Sequence, residues 1–118
     1  MQTETGMFSP EDVFEAFLFE QIQRKKTQEN MNTREVHRAF YEAQQEFPDF
    51  MSEYEFLLRT EPYSPTLHAM FHEYRRAGIL TAEDGKFILR DPELWNPRPL
   101  KEPPEELKPV ARYICDKV

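Results

Sequence analysis

The chain has one cysteine, three glycines and no apolar run approaching the length of a bilayer span. A lone Cys115 closes no intrachain disulfide, which fits a reducing compartment and leads us to expect a cytoplasmic protein. The segment after Met1 reads Gln-Thr-Glu-Thr-Gly and lacks the basic start and apolar stretch of a signal peptide. A membrane helix needs roughly 20 apolar residues in a row, so no membrane association is expected. Glycine-rich phosphate loops cannot be built from Gly6, Gly78 and Gly85 at such distant positions, which removes the common nucleotide-binding routes. Basic excess is lacking too. The formal net charge is −7, and a uniformly acidic surface repels phosphate backbones. Residues 59 to 90 are the exception. There Arg59, Arg75, Arg76, Lys86 and Arg90 slightly outweigh Glu61, Glu73, Glu83 and Asp84, which keeps nucleic acid in play locally.

Catalytic constellations are also missing. No Ser/His/Asp or Cys/His set stands out, and the many carboxylates are spread as on solvated helix faces. Cys115 sits in an apolar helical pattern and reads as a small packing residue. The expectation is therefore a protein that is no enzyme and carries no cofactor.

Aromatic side chains are abundant: ten Phe, five Tyr and one Trp in 118 residues. Each brings a large buried area, so a core can be assembled from few side chains without a metal or disulfide. Their spacing is helical in four places. Ser9-Pro10-Glu11-Asp12 carries an N-cap, a proline suited to the first helical position and a capping-box acid. Val13, Phe14, Phe17, Leu18 and Ile22 follow as a stripe, predicting a helix over 10–26 that ends on Arg24-Lys25-Lys26. Residues 27–31 read as a polar connection. Asn32-Thr33-Arg34-Glu35 then opens a second helix with Val36, Phe40, Ala43 and Phe47 inward, ending by Glu46 ahead of Pro48. Residues 49–60 fit either a short helix capped by Ser52, with Tyr54, Leu57 and Leu58 inward, or a strand alternating Tyr54, Phe56 and Leu58. The short helix is preferred.

Ser64-Pro65 caps a third helix over 66–77, with Leu67, Met70, Phe71, Tyr74 and Ala77 inward and Gly78 closing it. Two apolar runs around Asp84-Gly85 then predict a β-hairpin. Trp95 is expected to anchor on the core. Residues 96–104 hold four of the ten prolines, an extended linker, and Val110, Ile114 and Val118 mark a last helix. This divides the chain into a domain over 1–95 and an extension over 96–118 that packs on the domain or on a second subunit.

Residues 52–90 resemble a winged helix-turn-helix. In that superfamily a capped helix carries apolar residues seven and four positions before a closing glycine, then two aliphatics and a hairpin wing. Here these are Phe71, Tyr74, Gly78, Ile79-Leu80 and residues 81–90. The resemblance implies a mainly α fold with a small β-hairpin, two N-terminal helices and a C-terminal helical extension. The segment Pro62-Tyr63-Ser64-Pro65 and the Ala77-Gly78-Ile79-Leu80 that follows its helix are also similar to SocA/Panacea-type bacterial proteins. Glu61 stands where that group commonly has glycine. Its understood members act as antitoxins or adaptors through protein contacts.

A 3.6-residue period puts His72 and Arg76 at the centre of the face opposite Leu67, Phe71 and Tyr74, with His68 and Arg75 on its flank. In a DNA-reading winged helix that face enters the major groove, and Lys86 and Arg90 meet phosphates from the wing. An ordinary solvated face explains the same residues, and Glu73 with Glu83-Asp84 opposes phosphate. His68 and His72 have a metal-chelating spacing, but no third ligand is placed beside them and His37 lies on another helix, so no metal is expected. The leading expectation is recognition of a protein partner, antitoxin- or adaptor-like. A DNA-binding regulator using His68, His72, Arg75, Arg76, Lys86 and Arg90 comes second. A structural subunit docking on a basic protein comes third, and a homodimer through the C-terminal helix is compatible with each.

Overall fold

Ser9 is extended, its hydroxyl accepts the Asp12 amide and the Asp12 carboxylate accepts the Ser9 amide, a reciprocal capping box that starts α1, Pro10–Gln23. The computed structural model describes residues 8–58, 60–84, 86–92 and 102–118. Among the described residues the protein is mainly helical, with four α-helices and two small antiparallel sheets. No described helix is long and apolar enough to cross a membrane.

Helix α1 is three residues shorter than expected. Arg24 is its C-cap, and positive φ angles at Lys25 (60°) and Gln28 (64°) turn the chain back. Arg24 pairs instead with Glu20 at 2.9 Å and with Asp116 at 2.8 Å, tying α1 to the C-terminal helix. The stretch expected as a plain connection contains β1, Asn30–Met31. The Gln28 amide donates to the Leu89 carbonyl (2.6 Å) and the Thr27 hydroxyl to Asp91 (2.6 Å), which brings β1 beside the hairpin.

Helix α2, Thr33–Glu46, is capped by Asn32 and ends where the sequence predicts. The short helix preferred around Ser52 does not form. Turns at Phe47–Phe50 and Met51–Tyr54 take its place, and the Gln44 side chain donates to the carbonyls of Met51 (2.9 Å) and Tyr54 (2.8 Å). Those carbonyls are thereby drawn toward α2, and the chain continues as β2, Leu57–Leu58, paired with β3, Pro62–Tyr63. Tyr54 is buried, with its hydroxyl donating to the Pro10 carbonyl at 2.7 Å. Leu57 and Leu58, expected inward, are exposed.

Helix α3, Pro65–Arg76, is capped by Ser64, whose hydroxyl accepts the Leu67 amide. It buries Leu67, Met70, Phe71 and Tyr74, whereas Ala77 lies at the exposed C-cap. Gly78 has φ +85°, a conformation glycine adopts without strain, and its amide closes the helix on the Arg75 carbonyl at 3.0 Å. The predicted hairpin follows as β4, Leu80–Glu83, and β5, Lys86–Leu89, with β1 completing a sheet of order β1-β5-β4.

Helix α4, Lys108–Lys117, packs on α1 and α2 and buries Val110, Ala111, Ile114 and Cys115. The core lies between the helices, centred on Phe14, Phe17, Phe40 and Phe71, all fully buried. Leu94, Trp95 and residues 96–101 of the expected linker lie outside the described residues.

Candidate functional site

Two surfaces meet at α3. Its outer face carries the residues expected to touch a macromolecule. Arg75 and Arg76 are exposed in the last turn and form no ion pair among the described residues. His68 is exposed, and its ring lies 4.5 Å from that of His72. His72 is half-buried with its ring edge-on to Phe87 at 5.7 Å, so it lies at the junction of helix and hairpin. Lys86 is exposed but stands opposite Glu83 in the hairpin register. Arg90 is held differently: its guanidinium donates to the Gly78 carbonyl at 2.9 Å, bracing the end of α3 against β5. Among the described residues no three His, Cys, Asp or Glu side chains are grouped to hold a metal ion.

The second surface is a cleft of about 380 Å³ between α2, β3, α3 and β5. Thr33, Arg34 and His37 project from the first turns of α2, Tyr63 comes from β3, His68 and Phe71 from α3, and Phe87 from β5. Its walls are flat rings. Tyr63 stacks on His37 with centroids 4.9 Å apart and planes 18° apart, and Phe71 stacks on Phe87 at 4.8 Å and 26°. On the rim Arg34 pairs with Glu61 at 3.2 Å, so the one formal cation there is already compensated.

His37 is fixed by backbone. The Ser64 amide donates to its Nδ1 at 3.0 Å, a bond made inside the structure because Ser64 is itself fully buried. Burial pushes the imidazole down to about 4, and nearby His68 adds to the shift. The ring is therefore neutral at physiological pH and works as an oriented dipole, not a charge.

The outer face of α3 was readable from one helix's period. The cleft was not, because its residues are spread from Thr33 to Phe87 and meet only when four elements pack. The available signal was the Pro62-Tyr63-Ser64-Pro65 segment, which reads as turn and cap chemistry yet also places Tyr63 over His37.

Beside the cleft the β2–β3 ribbon exposes apolar side chains. Leu57 is 42% exposed, Leu58 64% and Tyr63 38%, with Leu57 and Tyr63 directly opposite in register. Compared with known protein families, characterised proteins and solved structures, the chain matches none.

Proposed function

We propose that the chain is a winged-helix recognition domain that binds a protein partner, antitoxin- or adaptor-like, and catalyses nothing. The observation that carries this reading is Tyr63, exposed and lining the aromatic cleft, opposite Leu57 in a ribbon that also exposes Leu58. Exposed large apolar groups scattered singly are ordinary, but grouped beside a concave aromatic surface they mark an interaction site. The winged-helix part of the reading is supported by element order. A strand between the first two helices pairs with the distal strand of a hairpin that follows a capped helix.

A second reading, DNA recognition, is favoured by one observation: Arg75 and Arg76 are exposed on the outer face of α3, without ion pairs among the described residues. His68, His72 and Lys86 would extend that surface. Arg90, engaged at Gly78, would contribute less.

Capture from a native lysate, with and without nuclease, separates the two. The expected result is a stoichiometric protein retained after nuclease and high salt. Leu58→Asp should weaken it by about tenfold or more, as for a central apolar contact, and Arg76→Glu should leave it intact. Salt-sensitive DNA released by Arg76→Glu, with no protein companion, would replace the first reading with the second.

A further inference from the structure

Among the described residues, one hydrogen-bond donor that lines the cleft lacks an acceptor. His37 is only 6% exposed and its Nδ1 accepts the Ser64 amide. A ring nitrogen that accepts carries no proton, so the proton of this neutral imidazole resides on Nε2. Among the described residues Nε2 has no hydrogen-bond partner, although the ring lines the cleft. A buried polar group left in that state is costly, and a ligand that supplies the missing acceptor recovers the loss.

The walls say what should carry the acceptor. Tyr63 and Phe87 offer flat faces and edges on either side, which favour a ring over a branched aliphatic group. The arginine of the cleft, Arg34, is already compensated by Glu61, and His37 is neutral, which disfavours a carboxylate there. An uncharged oxygen fits better. Tyr63, which lines the cleft, stands opposite Leu57 across the β2–β3 ladder, so an exposed apolar side chain adjoins the pocket.

We propose that this cleft takes an aromatic side chain together with the adjacent backbone carbonyl, as presented by a phenylalanine in an extended segment of a protein partner. The carbonyl accepts from His37 Nε2–H, and the ring lies against Tyr63 and Phe87. The assignment rests on the protein-recognition reading and names the feature of the partner that is read.

The test is an NMR titration of the full isotope-labelled chain with N-acetyl-phenylalanine methylamide. The leucine analogue and benzoate serve as comparison probes. The expected result is a set of shifts confined to His37, Tyr63, Phe87 and their neighbours, including the imidazole Nε2 resonance, with the leucine probe weaker. His37→Asn keeps an acceptor for the Ser64 amide, because the Asn carbonyl takes the place of Nδ1, but deletes the Nε2 donor. It should weaken binding by about tenfold while its amide spectrum remains that of the folded protein. Tyr63→Leu removes one flat wall at an exposed position and should weaken binding as well. Absence of cleft shifts, equal binding of the leucine probe, or undiminished binding to His37→Asn would each overturn the proposal. Tighter binding of benzoate would assign the cleft to a free aromatic acid and overturn the partner assignment. The lysate capture separates the two levels. A partner lost with Leu58→Asp but fully retained by both Tyr63→Leu and His37→Asn overturns this inference and leaves protein recognition standing. Cleft binding of the phenylalanine probe without any captured protein overturns the partner assignment together with the recognition reading.

Discussion

Replacing Phe14 by alanine is expected to remove about 3–5 kcal/mol of unfolding free energy, against a total of about 5–15 kcal/mol for a domain of this kind. Phe14 is 0% exposed and sits where three helices meet. Its ring lies 6.3 Å from Phe40 of α2, 5.3 Å and edge-on to Phe71 of α3, and 5.1 Å from Tyr74 of α3. Truncation therefore opens a cavity bounded by elements that cannot all collapse into it, because Tyr74 is also held by its hydroxyl on Glu15 at 2.5 Å. The loss is both transfer free energy and cavity cost. Thermal unfolding should show a midpoint lower by about 10–20 °C. Leu58→Ala, at a position 64% exposed, should stay within about 0.5 kcal/mol of wild type. A Phe14→Ala cost below about 1 kcal/mol would mean that the junction is not where the stability resides.

Acid is expected to destabilise the fold through His37 in a definite window. Its folded value is about 4, lowered mainly by burial from the ordinary 6.5 that it regains on unfolding. Between those values the unfolded chain binds a proton that the native chain refuses, so stability rises with pH there. The contribution is complete above pH 6.5 and is lost as pH falls through 4. Its size is up to about 3 kcal/mol, from about 1.4 kcal/mol per unit. Protonation at Nδ1 would also cancel the bond from the Ser64 amide, which joins α2 to the cap of α3. Surface carboxylates titrate in the same range, so the measurement is a difference. Unfolding free energies of wild type and His37→Asn, compared between neutral pH and pH 4, should converge or cross as wild type loses the term that the variant lacks. Parallel curves would show that His37 takes up its proton without strain.

Helix starts were legible because capping is local chemistry. Ser9-Pro10, Asn32 and Ser64-Pro65 each begin a helix where the sequence places it, and Gly78 ends α3. The hairpin was legible from Asp84-Gly85 for the same reason; Asp84 indeed has a positive φ of 51°. What sequence periods missed depends on partners far along the chain. Strand β1 is two residues long and polar, and it exists because backbone groups from 28 to 31 find β5. The segment after Pro48 has a helical stripe on paper, yet Gln44 captures two of its carbonyls. Of the six candidate contact residues, His68, Arg75, Arg76 and Lys86 are exposed, His72 is half-buried, and Arg90 is engaged with Gly78. His37, Tyr63 and Phe87 went unread as a site because each looks like ordinary core or turn chemistry in its own segment.

The seam between α1 and α4 contains a chemical clock. Cys115 is buried there, its thiol directed at the Phe17 carbonyl across 98 residues of sequence, and burial pushes its pKa up to about 12. Only 5% of it is exposed while the helices are docked, and the little thiolate present would react slowly. Labelling is therefore limited by how often α4 lifts away, and an undisturbed chain reports that opening through its single sulfhydryl.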